Sequence, residues 1–132
     1  MRARDLGISI GTGTPGEHNA ITDVPGVLVG HCTLVEGDDV RTGVTVVLPH
    51  RGRIGRDAVF AGCHRLNGNG EMTGLEWVRE SGLLMSPIGL TNTHSVGAVR
   101  NAVSRAGAVM PTRAASPGYE RCRSRRSARR RS

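Results

Sequence analysis

The chain has 132 residues, enough for one small domain and marginal for two. Only 37% of it is apolar, with one each of Trp, Tyr and Phe, so any core must be aliphatic, and an aromatic platform for stacking bases is excluded. All 18 basic residues are arginine: residues 1–110 hold ten against ten acids, whereas 111–132 hold eight against Glu120, so the last stretch carries the whole net charge of +7 and a basic globular domain is excluded.

The arginine-rich stretch admits two readings. One is a disordered arm that neutralises phosphates on nucleic acid. The other is a slipped reading frame in a GC-rich gene, because Arg, Ser, Ala, Pro and Gly make up 18 of the last 22 residues. The second is favoured, with the family resemblance given below as part of its weight. The expected division is thus a partial domain over residues 1–106 and a tail over 107–132. No apolar run approaches the ~20 residues of a membrane span, and nothing apolar follows the charged N-terminus as in a signal peptide. A cytoplasmic protein is expected. Cys32, Cys63 and Cys122 are odd in number and widely spaced, which argues against a disulfide framework or a structural zinc site. No metal or cofactor is expected.

Along the chain, residues 8–10 form a short apolar piece leading into Gly11-Thr-Gly-Thr-Pro-Gly16. This matches the letters of a dinucleotide fingerprint, but Pro15 and the turn formers after it deny the helix start that would meet a pyrophosphate. Residues 27–31 and 44–48 read as strands around a turn cluster at 36–39, which implies an antiparallel hairpin. Pro49 ends the second strand, residues 50–56 read as a polar loop, and 58–61 as a third strand.

A helix is predicted from Thr73, with Glu76 and Arg79 paired at i, i+3 and Gly82 as its C-terminal cap. Feeding it, Asn67-Gly-Asn-Gly-Glu71 presents amides beside a carboxylate, a way to hold an amine or a developing oxyanion. The plainer reading is a glycine-rich loop in which Asn67 and Asn69 take positive φ. Residues 87–91 read as a strand entering Asn92-Thr-His-Ser95. Ser95 or Thr93 then caps a helix whose buried stripe is Val96, Val99 and Val103 and which ends near Arg105. His94 is placed where a general base would stand, or is a hydrogen-bonded turn residue.

Four segments together carry a resemblance. They are Asn19-Ala-Ile-Thr-Asp-Val-Pro-Gly-Val-Leu-Val-Gly-His31, Val40-Arg-Thr-Gly-Val-Thr45, Leu66-Asn-Gly-Asn-Gly-Glu-Met-Thr-Gly74 and Thr91-Asn-Thr-His-Ser-Val-Gly97. In this order and spacing they resemble the DmpA/BapA family of L-aminopeptidase/D-amino-acid esterases and β-peptidyl aminopeptidases. The resemblance covers about residues 4–105. It implies an α/β (α+β) chain, the N-terminal portion of a layered αββα sandwich resembling N-terminal-nucleophile hydrolases.

Family members are self-processing serine hydrolases in which the freed serine is both nucleophile and, through its α-amine, base. No position here matches the family's acid-and-tyrosine segment, its later asparagine or its self-cleavage serine, so no catalytic residue is carried over. Asn67, Asn69, Glu71, Asn92 and His94 lie in matching motifs and are the candidates for lining or supporting the substrate pocket. The expectation is a truncated, frameshifted opening part of an α chain, without turnover of its own. The partners implied are a peptide or aminoacyl amide or ester substrate, the rest of the α chain, the β chain, and further copies in a homo-oligomer. The alternative from another class is a small αβ module with an arginine-rich nucleic-acid-binding tail; the neutral body counts against it. A scaffold or regulatory derivative of the enzyme is a third.

Overall fold

The computed structural model describes residues 3–109. The expected hairpin is present and longer than its apolar centre suggested: β1 (Leu28–Glu36) runs antiparallel to β2 (Val40–Leu48), with Leu28 opposite Leu48 and Glu36 opposite Val40. Gly37, at φ 51°, supplies the left-handed residue that this tight connection requires. Arg41 Nη1 closes the turn by donating to the carbonyls of Gly37 (2.7 Å) and Val40 (2.9 Å).

β2 is the central strand. Its far side pairs antiparallel with β5 (Ile88–Leu90), giving the order β1-β2-β5. The strand expected at 58–61 shrinks to β3 (Val59–Phe60), which pairs with β4 (Leu83–Leu84), an element the sequence did not announce. Residues 8–10 belong to no strand; the Ile8 amide turns back to the Ala3 carbonyl at 3.0 Å, and Ile8 and Ile10 are exposed.

Between β3 and β4 lies α1 (Leu75–Ser81), with Gly82 in the left-handed conformation as the expected C-terminal cap. The Ser81 hydroxyl donates to the Trp77 carbonyl and accepts from the Leu83 amide, so the helix end is joined directly to β4. The Glu76–Arg79 pair forms at 2.5 Å. Arg79 is held in its charged form first by the Cys63 side chain and then by Glu76. Cys63 is a free, exposed thiol.

After β5 comes a 3-10 turn (Thr93–Ser95) and then α2 (Val96–Val109). The helix passes Gly107 and extends beyond the expected end near Arg105, since one glycine weakens a helix by only about 1 kcal/mol. α2 packs on β5 at Gly89, where an added Cβ would lie 2.6 Å from Val99 Cγ1 and 3.4 Å from Val103 Cγ2. The predicted valine stripe is thus the packing face, and glycine is what lets helix and strand approach.

Packing elsewhere is thin. Among the described residues only Ile54 is buried, and it sits in the loop after β2. The arginine-rich tail lies outside the described residues apart from its first three positions, which belong to α2.

Candidate functional site

Two helices and a sheet enclose one large cleft of about 1330 Å³. Val96, Val99 and Val103 of α2 form one wall, Leu75, Trp77 and Val78 of α1 the other, and Leu28, Leu48 and Ile88 lie along its sheet side. Residues 50–56 and 71–74 line its remaining margin. The apolar lining follows from the sequence: valine at i, i+3 and i+7 places one face of α2 toward the sheet.

The margin is built by local hydrogen bonds. His50 Nε2 donates to the Asp57 carbonyl at 2.7 Å while Nδ1 accepts from the Gly52 amide at 2.9 Å, which fixes the ring in its Nε2–H tautomer. That ring pins the ends of the loop, and the Arg56 and Asp57 amides both turn back to the Arg53 carbonyl. Ile54 is thereby directed inward while Arg51, Arg53 and Arg56 stay exposed beside the cleft.

Of the five candidate residues, Glu71 alone lines the cleft. One of its carboxylate oxygens accepts the Thr73 hydroxyl at 2.9 Å. Asn67 turns its side-chain oxygen to the Asn69 amide at 3.2 Å, a local turn closure. The expected positive φ at Asn67 and Asn69 is absent; among described non-glycine residues only Asn19 has one, at 48°.

Asn92 is the N-cap of the 3-10 turn (Thr93–Ser95) that leads into α2, in the segment where Ser95 or Thr93 was expected to cap the helix. Its Oδ1 accepts from the amides of His94 and Ser95, each at 3.1 Å, and its Nδ2 donates to Thr42 Oγ1 at 2.8 Å. Beside it, Thr91 Oγ1 donates to the Gly43 carbonyl at 3.0 Å. The start of α2 is therefore fastened to β2 through two adjacent side chains. His94 is exposed, and its backbone amide donates to Asn92 Oδ1.

A second, shallower depression of about 390 Å³ lies over the strands beside this junction, lined by His31, Thr42, Thr45 and Thr91 among others. His31 Nδ1 and Thr45 Oγ1 meet there at 2.8 Å across the β1–β2 pair. Neither this contact nor the cleft's Trp77 and arginine margin was anticipated from sequence. The opposition of His31 and Thr45 depends on strand register, which only the pairing reveals. Among the described residues no three of His, Cys, Asp and Glu gather as a metal site, and no helix is long and apolar enough to cross a membrane.

Comparison with known proteins places this arrangement. The signature of Peptidase family S58 matches residues 19–120. The beta-peptidyl aminopeptidase BapA of Sphingosinicella microcystinivorans is 52% identical over 110 residues, covering 77% of this chain and 27% of that protein. The corresponding enzyme of Sphingosinicella xenopeptidilytica is 47% identical over the same length and shares. Among solved structures, a Burkholderia sp. beta-aminopeptidase superposes with a TM-score of 0.69 at 63% identity, covering 80% of this chain and 31% of that one. The L-aminopeptidase D-Ala-esterase/amidase of Ochrobactrum anthropi, described as a serine aminopeptidase and a new variant of the Ntn hydrolase fold, gives 0.65 at 44% identity, covering 79% and 30%. The chain spans about a quarter of the length of the curated relatives and under a third of the solved ones.

Proposed function

Because the chain belongs to peptidase family S58, we propose that residues 19–106 supply one wall of the substrate pocket of a serine aminopeptidase acting on N-terminal aminoacyl amides, peptides and esters. The observation that carries this reading is 63% identity to a beta-aminopeptidase over four fifths of the chain, with the backbone superposing. The division of labour follows from side-chain engagement. Glu71, beside the cleft with its second carboxylate oxygen outside the Thr73 bond, is suited to an ammonium group of the substrate. Asn92 acts as a positioning residue, since both ends of its amide hold the α2 start against β2. Asn67 and Asn69 shape the loop that presents Glu71, and His94 stands at the exposed edge of the cap.

Nucleophilic chemistry in this reading comes from the rest of a family chain, because no residue of this sequence matches the self-cleavage serine. A hydroxyl becomes an effective nucleophile only with a base at hand, and an N-terminal amine titrating near neutral pH meets that need. The 132-residue chain alone is expected to hydrolyse aminoacyl p-nitroanilides and esters no faster than buffer. Turnover abolished by one substitution in this chain would overturn that expectation. The pocket assignment is tested by grafting residues 19–106 into the Burkholderia sp. beta-aminopeptidase. The chimera should turn over aminoacyl amides, and Glu71→Gln in it should raise KM by about tenfold, as expected for a lost charge-assisted hydrogen bond. A chimera indifferent to Glu71→Gln refutes the role given to Glu71.

A further inference from the structure

We propose that Asn67 is a site of intramolecular deamidation, at which the Gly68 amide nitrogen attacks the Asn67 side chain and leaves an isoaspartyl or aspartyl residue on the loop that carries Glu71. The chemistry stands apart from the family reading above; only its consequence for the pocket rests on that reading.

The chain has five asparagines, and their surroundings separate them. Asn101 lies inside α2, where the Ala102 amide belongs to the helical ladder and is not free to attack. Asn92 has both ends of its side-chain amide engaged, and the residue after it, Thr93, is β-branched. Asn19 precedes Ala20, whose amide is bound by Asp23 Oδ2 at 3.1 Å. Asn67 and Asn69 each precede a glycine, are exposed, and belong to no helix or strand. An added Cβ at Gly68 or Gly70 would meet nothing within 4 Å, so a five-membered ring has room to close, and glycine offers the backbone freedom that closure needs. Among the described residues neither glycine amide donates a hydrogen bond, so both nitrogens are available.

One hydrogen bond distinguishes Asn67 from Asn69. Its Oδ1 accepts from the Asn69 amide at 3.2 Å, and among the described residues no amide is so placed for Asn69. As the Gly68 nitrogen adds to Asn67 Cγ, negative charge gathers on that same Oδ1, with the Asn69 N–H already in position to stabilise it. The bond is neutral before attack and charge-assisted at the transition state, where it is about twice as strong.

The reaction forms the bond from Gly68 N to Asn67 Cγ and breaks the bond from Cγ to Nδ2. The proton lost from the Gly68 amide passes through water to the departing nitrogen, which leaves as ammonia. Water then opens the cyclic imide. Cleavage at the side-chain carbonyl leaves an aspartyl residue, and cleavage at the main-chain carbonyl leaves an isoaspartyl one, with the chain now running through Cβ. Either product brings a second carboxylate into the loop beside Glu71, and the isoaspartyl form also lengthens the loop by one atom.

The test incubates the full 132-residue chain in mildly alkaline buffer, digests it with trypsin, and reads the products by mass spectrometry with electron-transfer fragmentation, which separates isoaspartyl from aspartyl forms. Cleavage after Arg65 and Arg79 puts both asparagines on one peptide, 66–79. Acid at position 67 should accumulate about fivefold faster than at 69, the rate change that one net hydrogen bond supplies, with positions 19, 92 and 101 behind both. In a synthetic peptide of residues 66–79, without the rest of the chain to hold the loop, positions 67 and 69 should react at equal rates. Gly68→Ala, whose added carbon meets no neighbour, should suppress the reaction at 67 and spare 69, with an unchanged circular dichroism spectrum. No acid at 67, equal rates at 67 and 69 in the full chain, or a reaction at 67 undiminished by Gly68→Ala would each overturn the proposal. In the graft chimera, a KM that rises with the isoaspartyl fraction supports the pocket role of the loop. A KM unmoved by a modification seen in the mass spectrum removes that role and leaves the deamidation standing.

Discussion

Asn92 shows how one side chain can serve two elements. Its oxygen caps the helix start and its nitrogen reaches Thr42 on β2. Asn92→Ala should therefore cost about 1–2 kcal/mol in denaturant unfolding, the upper part of the range for a lost N-cap, whereas Ser95→Ala should cost a few tenths. The motif containing Asn92 was visible in the sequence, but its role was not. Asn, Thr and Ser are all competent caps, and the choice between them depends on which lies opposite Thr42, fifty residues away in the chain. Asp23 is a simpler case. Its carboxylate accepts from the amides of His18 (3.0 Å) and Ala20 (3.1 Å), and these bonds, the His18 amide first, hold its pKa below the usual carboxylate value. A depressed folded pKa means that the bonds favour the ordered loop above the ordinary carboxylate range, about pH 4, and that this contribution disappears as pH falls through the lower folded value. The His18 and Ala20 amide resonances should move together in an acid titration, and Asp23→Asn should abolish the shared transition.

Elements whose identity is local were legible. The hairpin followed from two β-branched runs and the acidic turn between them, α1 from its i, i+3 pair and terminal glycine, and the α2 packing face from three valines. Elements that exist only through pairing were not. β4 is two leucines that become a strand because Val59 and Phe60 lie beside them. The same distinction governs the site. Glu71 was found as a carboxylate in a glycine-rich loop, whereas the arginine margin depends on how His50 folds residues 50–57. Gly89 marks where two elements meet most closely. Gly89→Ala should lower unfolding free energy by about 1–3 kcal/mol, the usual cost of overpacking, because its methyl would press on Val99. Gly68→Ala, with open space around the added carbon, should be nearly silent in the same measurement.

At the scale of the molecule, the described residues combine one buried side chain, Ile54, with a broad set of exposed ones, and this balance sets its behaviour. Phe60 is 94% exposed, Leu66 88% and Ile10 81%. The chain on its own should bind an environment-sensitive hydrophobic dye strongly and melt over a wide temperature range. A narrow transition with weak dye binding would show a core larger than the packing described here. The antiparallel sheet carries one further consequence, concerning the order in which it is made. Leu28 finds Leu48 only twenty residues later, across a turn that Gly37 and Arg41 close locally, but β2 must wait for Ile88–Leu90 before its other edge is covered. Closing the short loop first loses less chain entropy, so during synthesis the hairpin forms early. β2 then emerges with its second edge open until β5 and α2 follow. Over that interval the nascent chain is most susceptible to pairing with the wrong strand.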